Sequence, residues 1–261
     1  MALADKKDSL FQRIKRQTGK AIGDFKLIED GDRIAVGVSG GKDSYTLLDI
    51  LSTLQKRAPI NYKLIAVNID AGFPGYRKDL LEKHLQSRGY HYHMEATDTY
   101  QIIEEKRRPG SSYCAFCARL RRGVLYTVAE RLGCNKIALG HHLDDFVETL
   151  LLNQFYVGTL AAMSPKLLAD NGKQTVIRPL VYVKESDIIE YSQRADYPLI
   201  CCSCPVAGGV DQKRQRMKRL ITELAKEIPQ IRNSMISALG KVQLRHLLDQ
   251  GLSNPPCGEH E

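Results

Sequence analysis

The chain has 261 residues, long enough to bury a substantial core, and its 43% hydrophobic and 26% charged residues are the balance of an ordinary water-soluble protein. No apolar run approaches a membrane span, and the opening Met1-Ala2-Leu3-Ala4-Asp5-Lys6-Lys7-Asp8 has no signal-peptide core, so the expectation is a cytoplasmic protein with no membrane partner. A net charge of +8 points to a polyanionic partner, and seven cysteines without a secretory signal point to metal or redox chemistry before disulfides.

In chain order, Leu10 to Phe25 reads as a basic amphipathic helix, with Arg13, Lys15, Arg16 and Lys20 beside Phe11, Ile14 and Ile22. Arg33-Ile34-Ala35-Val36-Gly37-Val38 then reads as a strand buried on both faces, and Leu47, Ile50, Leu51 and Leu54 at helical spacing predict a helix directly after it. Between them lies Ser39-Gly40-Gly41-Lys42-Asp43-Ser44. Glycines allow a tight turn whose N–H groups approach a ligand, the helix beyond presents its positive dipole end, Lys42 adds a cation and the serines add hydroxyls. That is a pocket for an anion, and for a phosphate above all. A Walker A loop needs four residues between its glycines and Ser or Thr after the lysine; here three residues separate Gly37 from Gly41, and Asp43 follows Lys42. The run resembles instead the pyrophosphate loop of ATP pyrophosphatases, which cleave ATP between its α- and β-phosphates.

A second buried strand, Leu64 to Ile69, ends in Asp70 and the turn Ala71-Gly72-Phe73-Pro74-Gly75. A helix over Tyr76–Arg88, a short strand near His91–Glu95 and a helix ending at Ile102–Lys106 follow, and Arg107 to Ser112 is a loop by composition. After Cys114-Ala115-Phe116-Cys117 comes a helix from Ala118 to Leu132, then the strand Lys136–Leu139, Gly140-His141-His142, and a helix marked by Leu143, Val147, Leu150 and Leu151. Alternating strands and helices predict a doubly wound parallel sheet of Rossmann type, in which ligands sit beyond the carboxyl ends of the strands. Ser39–Ser44, Asp70 and Gly140–Asp145 all lie just after strands, so one crevice collects them. Beyond Leu160 the alternation weakens: Ile177-Arg178-Pro179-Leu180 reads as a last strand end, Glu185–Arg194 as a helix, and most of the remainder to Leu248 as helices. Between Lys213 and Arg245 the basic residues far outnumber the two acids, Glu223 and Glu227.

Cys114 and Cys117 form a CxxC, and Cys201, Cys202 and Cys204 form a second group far downstream, each set placed in a loop beside a helix. Two such sets converging would suit zinc with four thiolates, or an iron–sulfur cluster with three or four. Cys134 reads as a buried small hydrophobe and Cys257, in a Pro-rich tail, as an incidental thiol.

Taken together, SGGKDS, the CxxC with Arg119-Leu120-Arg121-Arg122-Gly123 after it, Gly140-His141-His142-Leu143-Asp144-Asp145 and Ile177-Arg178-Pro179-Leu180 stand in the order and spacing of one family. From Leu10 to Leu248 the chain resembles the tRNA 2-thiocytidine synthetases, ATP-dependent tRNA thiolation enzymes of the adenine nucleotide α-hydrolase superfamily. That resemblance implies that ATP with Mg²⁺ adenylates the 2-oxygen of cytidine at position 32 of the anticodon loop, which sulfur then replaces. It implies a [4Fe–4S] cluster on three cysteines, two of them Cys114 and Cys117. The third is Cys204, which precedes a proline as in related thiolases, or Cys202, which the count from Cys117 reaches. Related 2-thiouridine enzymes carry an N-terminal zinc finger, and no such cysteine pattern stands before Ser39 here, which favours the cytidine branch.

On this reading Ser39, Gly40, Gly41, Lys42, Asp43 and Ser44, with Asp70, Gly140 and His141, hold the nucleotide; Lys42 stabilises charge at the α-phosphate, and Asp43 and Asp145 serve as metal ligand or base. Bland roles stay open: Asp70 as a turn residue, Asp144 and Asp145 as a favourable acidic first turn, His141 as packing, and Arg119, Arg121, Arg122 and Arg178 as solvated surface or tRNA contacts. Residues 1–30 form a basic N-terminal helix, 31–200 the pyrophosphatase domain and 201–261 a cysteine loop with basic helices. tRNA, a sulfur donor such as a cysteine desulfurase and a second copy of the chain are the expected partners. Competing readings keep the ATP site with 2-thiouridine, lysidine or adenylylsulfate chemistry, or make the protein a basic RNA-binding module with structural zinc.

Overall fold

Two helical layers enclose one sheet, and strand alternation decides which side chains meet each layer. In strand β1 (Arg33–Gly37), Ile34 and Val36 face one way and Ala35 the other, all with no exposed surface. The computed structural model describes residues 9–107, 113–200 and 212–248, apart from the side chains of residues 114 and 115. Ile34 and Val36 pack under helices α1 (Ser9–Asp24), α2 (Lys42–Gln55) and α7 (Glu185–Arg194), through Ile14, Leu47, Ile50, Leu51 and Ile188. Each such fully buried aliphatic side chain contributes about 1.5–3 kcal/mol relative to exposure. Ala35 joins Val67 and Ile69 of β2 (Lys63–Asp70) and Ile137 of β4 (Lys136–Ala138) on the opposite face, beneath Leu125, Val128 and Ala129 of α5 (Tyr113–Arg131).

The sheet has six strands in the order β3-β2-β1-β4-β6-β5, with β3 at Tyr92–Ala96, β5 at Lys166–Leu168 and β6 at Thr175–Ile177. β1 pairs in parallel with β2 on one side and β4 on the other, Val36 lying opposite Ala66 and Ala138. The chain runs outward from β1 through α2, β2, α3 (Lys78–Ser87), β3 and α4 (Thr99–Lys106), then crosses back by α5 to enter β4 beyond β1. The strand order therefore reverses between β1 and β4. Past β4, α6 (Leu143–Leu152) runs into a π-helical turn, Asn153–Val157; after α7, helices α8 (Gln212–Glu227) and α9 (Ile231–Leu239) pack on α6 through Met217, Ile221 and Ile236.

The expected doubly wound sheet is present, with two departures. β5 lies antiparallel on β6 at the sheet edge, Leu167 opposite Val176, where the sequence shows no alternation. The CxxC stands not in a loop before a helix but inside the first turn of α5, which starts at Tyr113. The reason is tertiary: Tyr113 is buried against Ala71, Phe73 and Ile103, which fixes the helix origin well before Ala118. Two of the basic residues of α1 are held by acids. Arg13 grips Asp187 through Nε and Nη2, both at 2.9 Å, and Lys20 lies 2.6 Å from Asp24. Cys134 is buried, as expected, and burial pushes its thiol pKa up, which makes it inert.

Candidate active site

A cavity of about 460 Å³ opens at the carboxyl ends of β1 and β4, where the strand order reverses. This is the crevice in which open α/β sheets bind ligands, and its size is that of a small-molecule site. Ser39, Asp43 and Ser44 line it from the loop after β1, and Gly140, His141 and Asp145 from the segment after β4. Ala118, Arg121, Arg122 and Leu125 line it from α5, and Arg214 from α8.

The loop after β1 is shaped by its own short bonds. Gly40 has φ +85°, open to glycine at little cost, and a Cβ there would meet Ile200 at 3.0 Å. Ser44 turns its hydroxyl inward to donate to the Gly41 carbonyl at 2.9 Å and to accept from Ser39 N–H at 3.2 Å, so of the two serines only Ser39 is left exposed. α2 starts at Lys42 with no side chain capping it, which leaves the positive end of the helix to a ligand. Lys42 does not line the cavity. Its ammonium sits 3.1 Å from Asp43 and 3.2 Å from Glu185. Burial pulls its pKa down, but the two carboxylates outweigh that and leave it raised.

Asp43 and Asp145 have different surroundings. Asp145 is occupied: Oδ2 accepts from His142 N–H at 3.0 Å, fixing the start of α6, and Oδ1 accepts from Arg214 at 2.7 Å. Asp43 Oδ1, by contrast, is buried and accepts no hydrogen bond among the described residues, although the Lys42 ammonium stands 3.1 Å from it. A buried carboxylate oxygen that accepts no hydrogen bond can exchange its ammonium neighbour for a metal cation. Among the described residues no three His, Cys, Asp or Glu side chains converge on a metal. Mg²⁺ takes one or two carboxylates and completes its shell with phosphate oxygens and water.

Gly140 allows the two loops to touch: a Cβ there would stand 3.0 Å from the Asp43 carbonyl carbon and 3.2 Å from Ser44 N. Next to it, His141 Nδ1 accepts from Arg178 Nε at 3.2 Å, so Nε2 carries the ring hydrogen. Burial and the neighbouring guanidinium push its pKa down to about 4, and at neutral pH it is an uncharged donor. His142, buried, lies among the carboxylates of Asp145, Asp43 and Asp144 at 3.5, 3.7 and 4.0 Å. Arg232 of α9 holds Asp144, and Arg214 also reaches Glu148 at 2.7 Å.

The cysteine side adjoins this cavity. Ala118 directly follows Cys117, and Ala118, Arg121 and Leu125 recur at the spacing of one helix face, on which position 114 stands one turn earlier. Cys117 is half-buried beside Phe73 and Tyr113, at the edge of that face. Ile200 donates its N–H to the Gly40 carbonyl at 3.0 Å, so the chain enters the second cysteine group from the phosphate loop itself. Cys201, Cys202, Cys204 and Cys257 lie outside the described residues.

The family model for the PP-loop domain matches residues 10–200. A tRNA-cytidine(32) 2-sulfurtransferase of Syntrophotalea carbinolica is 68% identical over 95% of this chain and 95% of its own. Another, of Geobacter sulfurreducens, is 63% identical over 92% and 93%. The chain belongs to the tRNA-cytidine(32) 2-sulfurtransferase family. Its fold is that of the U34-tRNA thiolase NcsA of Methanococcus maripaludis, with TM-score 0.76 at 24% identity over 97% of this chain and 84% of that one.

In this 2-sulfurtransferase family member, Ser39, Asp43, Ser44, Gly140, His141 and Asp145 meet around one space, as expected. Asp70 stays apart: it accepts from Gly72 N–H at 2.9 Å and lies 3.4 Å from Lys78, the turn role left open above. Glu185 and Arg232 carry no sequence signal beyond the amphipathicity of their helices, while Arg214 belongs to the basic run that starts at Lys213. Arg121, Arg122 and Arg178 prove to be neither plain surface nor remote, the last hydrogen-bonded to His141 and to the Ser164 carbonyl.

Proposed function

We propose that the cavity between β1 and β4 is where the protein activates C32 of a tRNA with ATP and exchanges its 2-oxygen for sulfur, yielding 2-thiocytidine. One observation carries this: the phosphate loop and the helix bearing the CxxC line the same space. The α2 N-terminus and loop N–H groups hold the ATP phosphates, with Arg121 and Arg122 beside them, while Arg214 stays on Asp145 and Glu148. Asp43 would hold Mg²⁺, which would supply neutralising charge to the phosphates. The cytidine 2-oxygen forms a bond to the α-phosphorus, and the bond to pyrophosphate breaks. Lys42, released from Glu185, and neutral His141 donate toward the oxygens on which charge develops. A sulfur nucleophile then bonds to C2, and AMP leaves with the original oxygen.

Cys114, Cys117 and Cys204 (or Cys202) would hold a [4Fe–4S] cluster, which would supply a thiophilic iron for that sulfur. The donor set fits: positions 114 and 117 lie within one turn of the helix whose Ala118 and Arg121 line the cavity, and Cys204 follows Ile200 within a reach of at most ~14 Å. A cysteine desulfurase or similar donor supplies the sulfur, two copies of the chain assemble, and the enzyme acts in the cytoplasm. No helix among the described residues is long and apolar enough to cross a membrane. Mass spectrometry of tRNA nucleosides from cells lacking the protein tests the whole reading. Loss of 2-thiocytidine with other thionucleosides unchanged is expected; an unchanged 2-thiocytidine pool overturns it.

A further inference from the structure

Beyond the cavity, the π-helical turn at the end of α6 carries side chains that the chemistry does not use. Phe155, Tyr156 and Val157 are 58%, 42% and 66% exposed, and Leu160 just after them is 55% exposed. The turn is held in this form by its own bonds: Gly158 has φ +76° and donates to the Asn153 carbonyl, Thr159 N–H does the same at 3.1 Å, and Asn153 Nδ2 donates to the Ala161 carbonyl at 2.8 Å. Rings kept in water by a rigid turn are preorganised for a partner. Interruptions of this type in α-helices recur at functional positions.

Charge identifies the partner. Lys213 Nζ stands 4.8 Å over the Tyr156 ring, and Arg216 and Arg219 are exposed on the same α8, where Lys218 is paired with Glu185 at 2.6 Å. A two-fold contact between copies would set this basic margin against itself on a chain of net charge +8. Exposed aromatic rings beside cations instead match single-stranded nucleic acid, where bases stack on the rings and phosphates meet the lysines. Arg214, the next residue after Lys213, lines the cavity. Along α6 the turn lies roughly 16 Å from Asp145, at ~1.5 Å per residue. The geometry points to the Phe155–Tyr156 turn as a stacking platform for unpaired anticodon-loop bases of the RNA whose target nucleotide enters the cavity. This rests on the reading of the substrate as tRNA.

The test uses an anticodon stem–loop RNA and a fully paired duplex as probes, with Phe155→Ala/Tyr156→Ala, Phe155→Leu and Phe155→Trp variants of the full chain. The double variant raises the stem–loop Kd and the KM for tRNA by roughly 5- to 100-fold, the effect of losing base stacking. Its kcat, ATP binding and duplex binding stay unchanged. Phe155→Trp binds as wild type does, whereas Phe155→Leu, which keeps the apolar bulk and so controls for folding, loses affinity. Phe155→Leu binding the stem–loop as tightly as wild type overturns the stacking role. So does a double variant that falls from dimer to monomer with RNA affinity intact, which assigns the surface to a second copy. Wild-type protein that thiolates tRNA while the double variant matches its KM sinks this inference alone; wild-type protein that neither binds nor thiolates tRNA sinks the functional reading with it.

Discussion

The two sides of the cavity are built in opposite ways. Its phosphate side is one contiguous strand, loop and helix, in which Ser39, Gly41 and Ser44 bond mostly to one another. Its other side is assembled from afar: Arg178 comes from beyond β6, Arg214 from α8 and Arg232 from α9, each clamped on a group of the His141–Glu148 segment. A contiguous loop draws much of its shape from bonds among its own residues. The remote arginines hold theirs only when α8 and α9 dock, so the acidic start of α6 depends on tertiary structure for its neutralising charges.

The largest effects separate the two chemistries. Lys42→Ala abolishes pyrophosphate release and leaves the cluster absorption near ~400 nm intact, while Cys117→Ala loses that absorption and still binds ATP. Both variants losing the same property would merge the two sides into one. A middle-sized effect probes the remote side: Arg214→Ala strands buried Glu148, whose carboxyl burial already pushes its pKa up, and frees Asp145. Denaturant unfolding should show a loss of about 1–3 kcal/mol with ATP affinity little changed. An ATP affinity that falls in step would mean that the phosphate side is not self-shaped. The smallest effect is one of pH. His141 titrates near 4 in the folded protein and near ~6.5 unfolded, so the unfolded chain takes up its proton first. The stability this residue confers is complete above about pH 6.5 and is lost as pH falls toward 4, amounting to about 3 kcal/mol at full effect. His141→Gln should flatten the stability profile across that window; an unchanged slope would assign the acid sensitivity elsewhere.

The same contrast governs what the sequence alone discloses. The phosphate loop is legible because its strand, glycines and helix are consecutive and each carries its own local signal. The Gly140–Asp145 segment is legible for the same reason. The antiparallel β5 is not, since Leu167 and Leu168 are both exposed and give no alternation to detect. The start of α5 was placed too late because Arg107 to Ser112 has loop composition, while the force that begins the helix is the burial of Tyr113 on Ala71, Phe73 and Ile103. Asp43 and Asp145 look alike as acids at helix starts, and only the reach of Arg214 across the fold tells them apart.

Ile200 is latched to Gly40, and three residues earlier Tyr197 is bound to Asp49 of α2 at 2.6 Å while stacking on Tyr45. The segment that leads into the second cysteine group thus has no slack relative to the nucleotide loop. Substitutions that free Ile200 or Tyr197 should therefore disturb the shape of the phosphate loop, although neither residue lines the cavity.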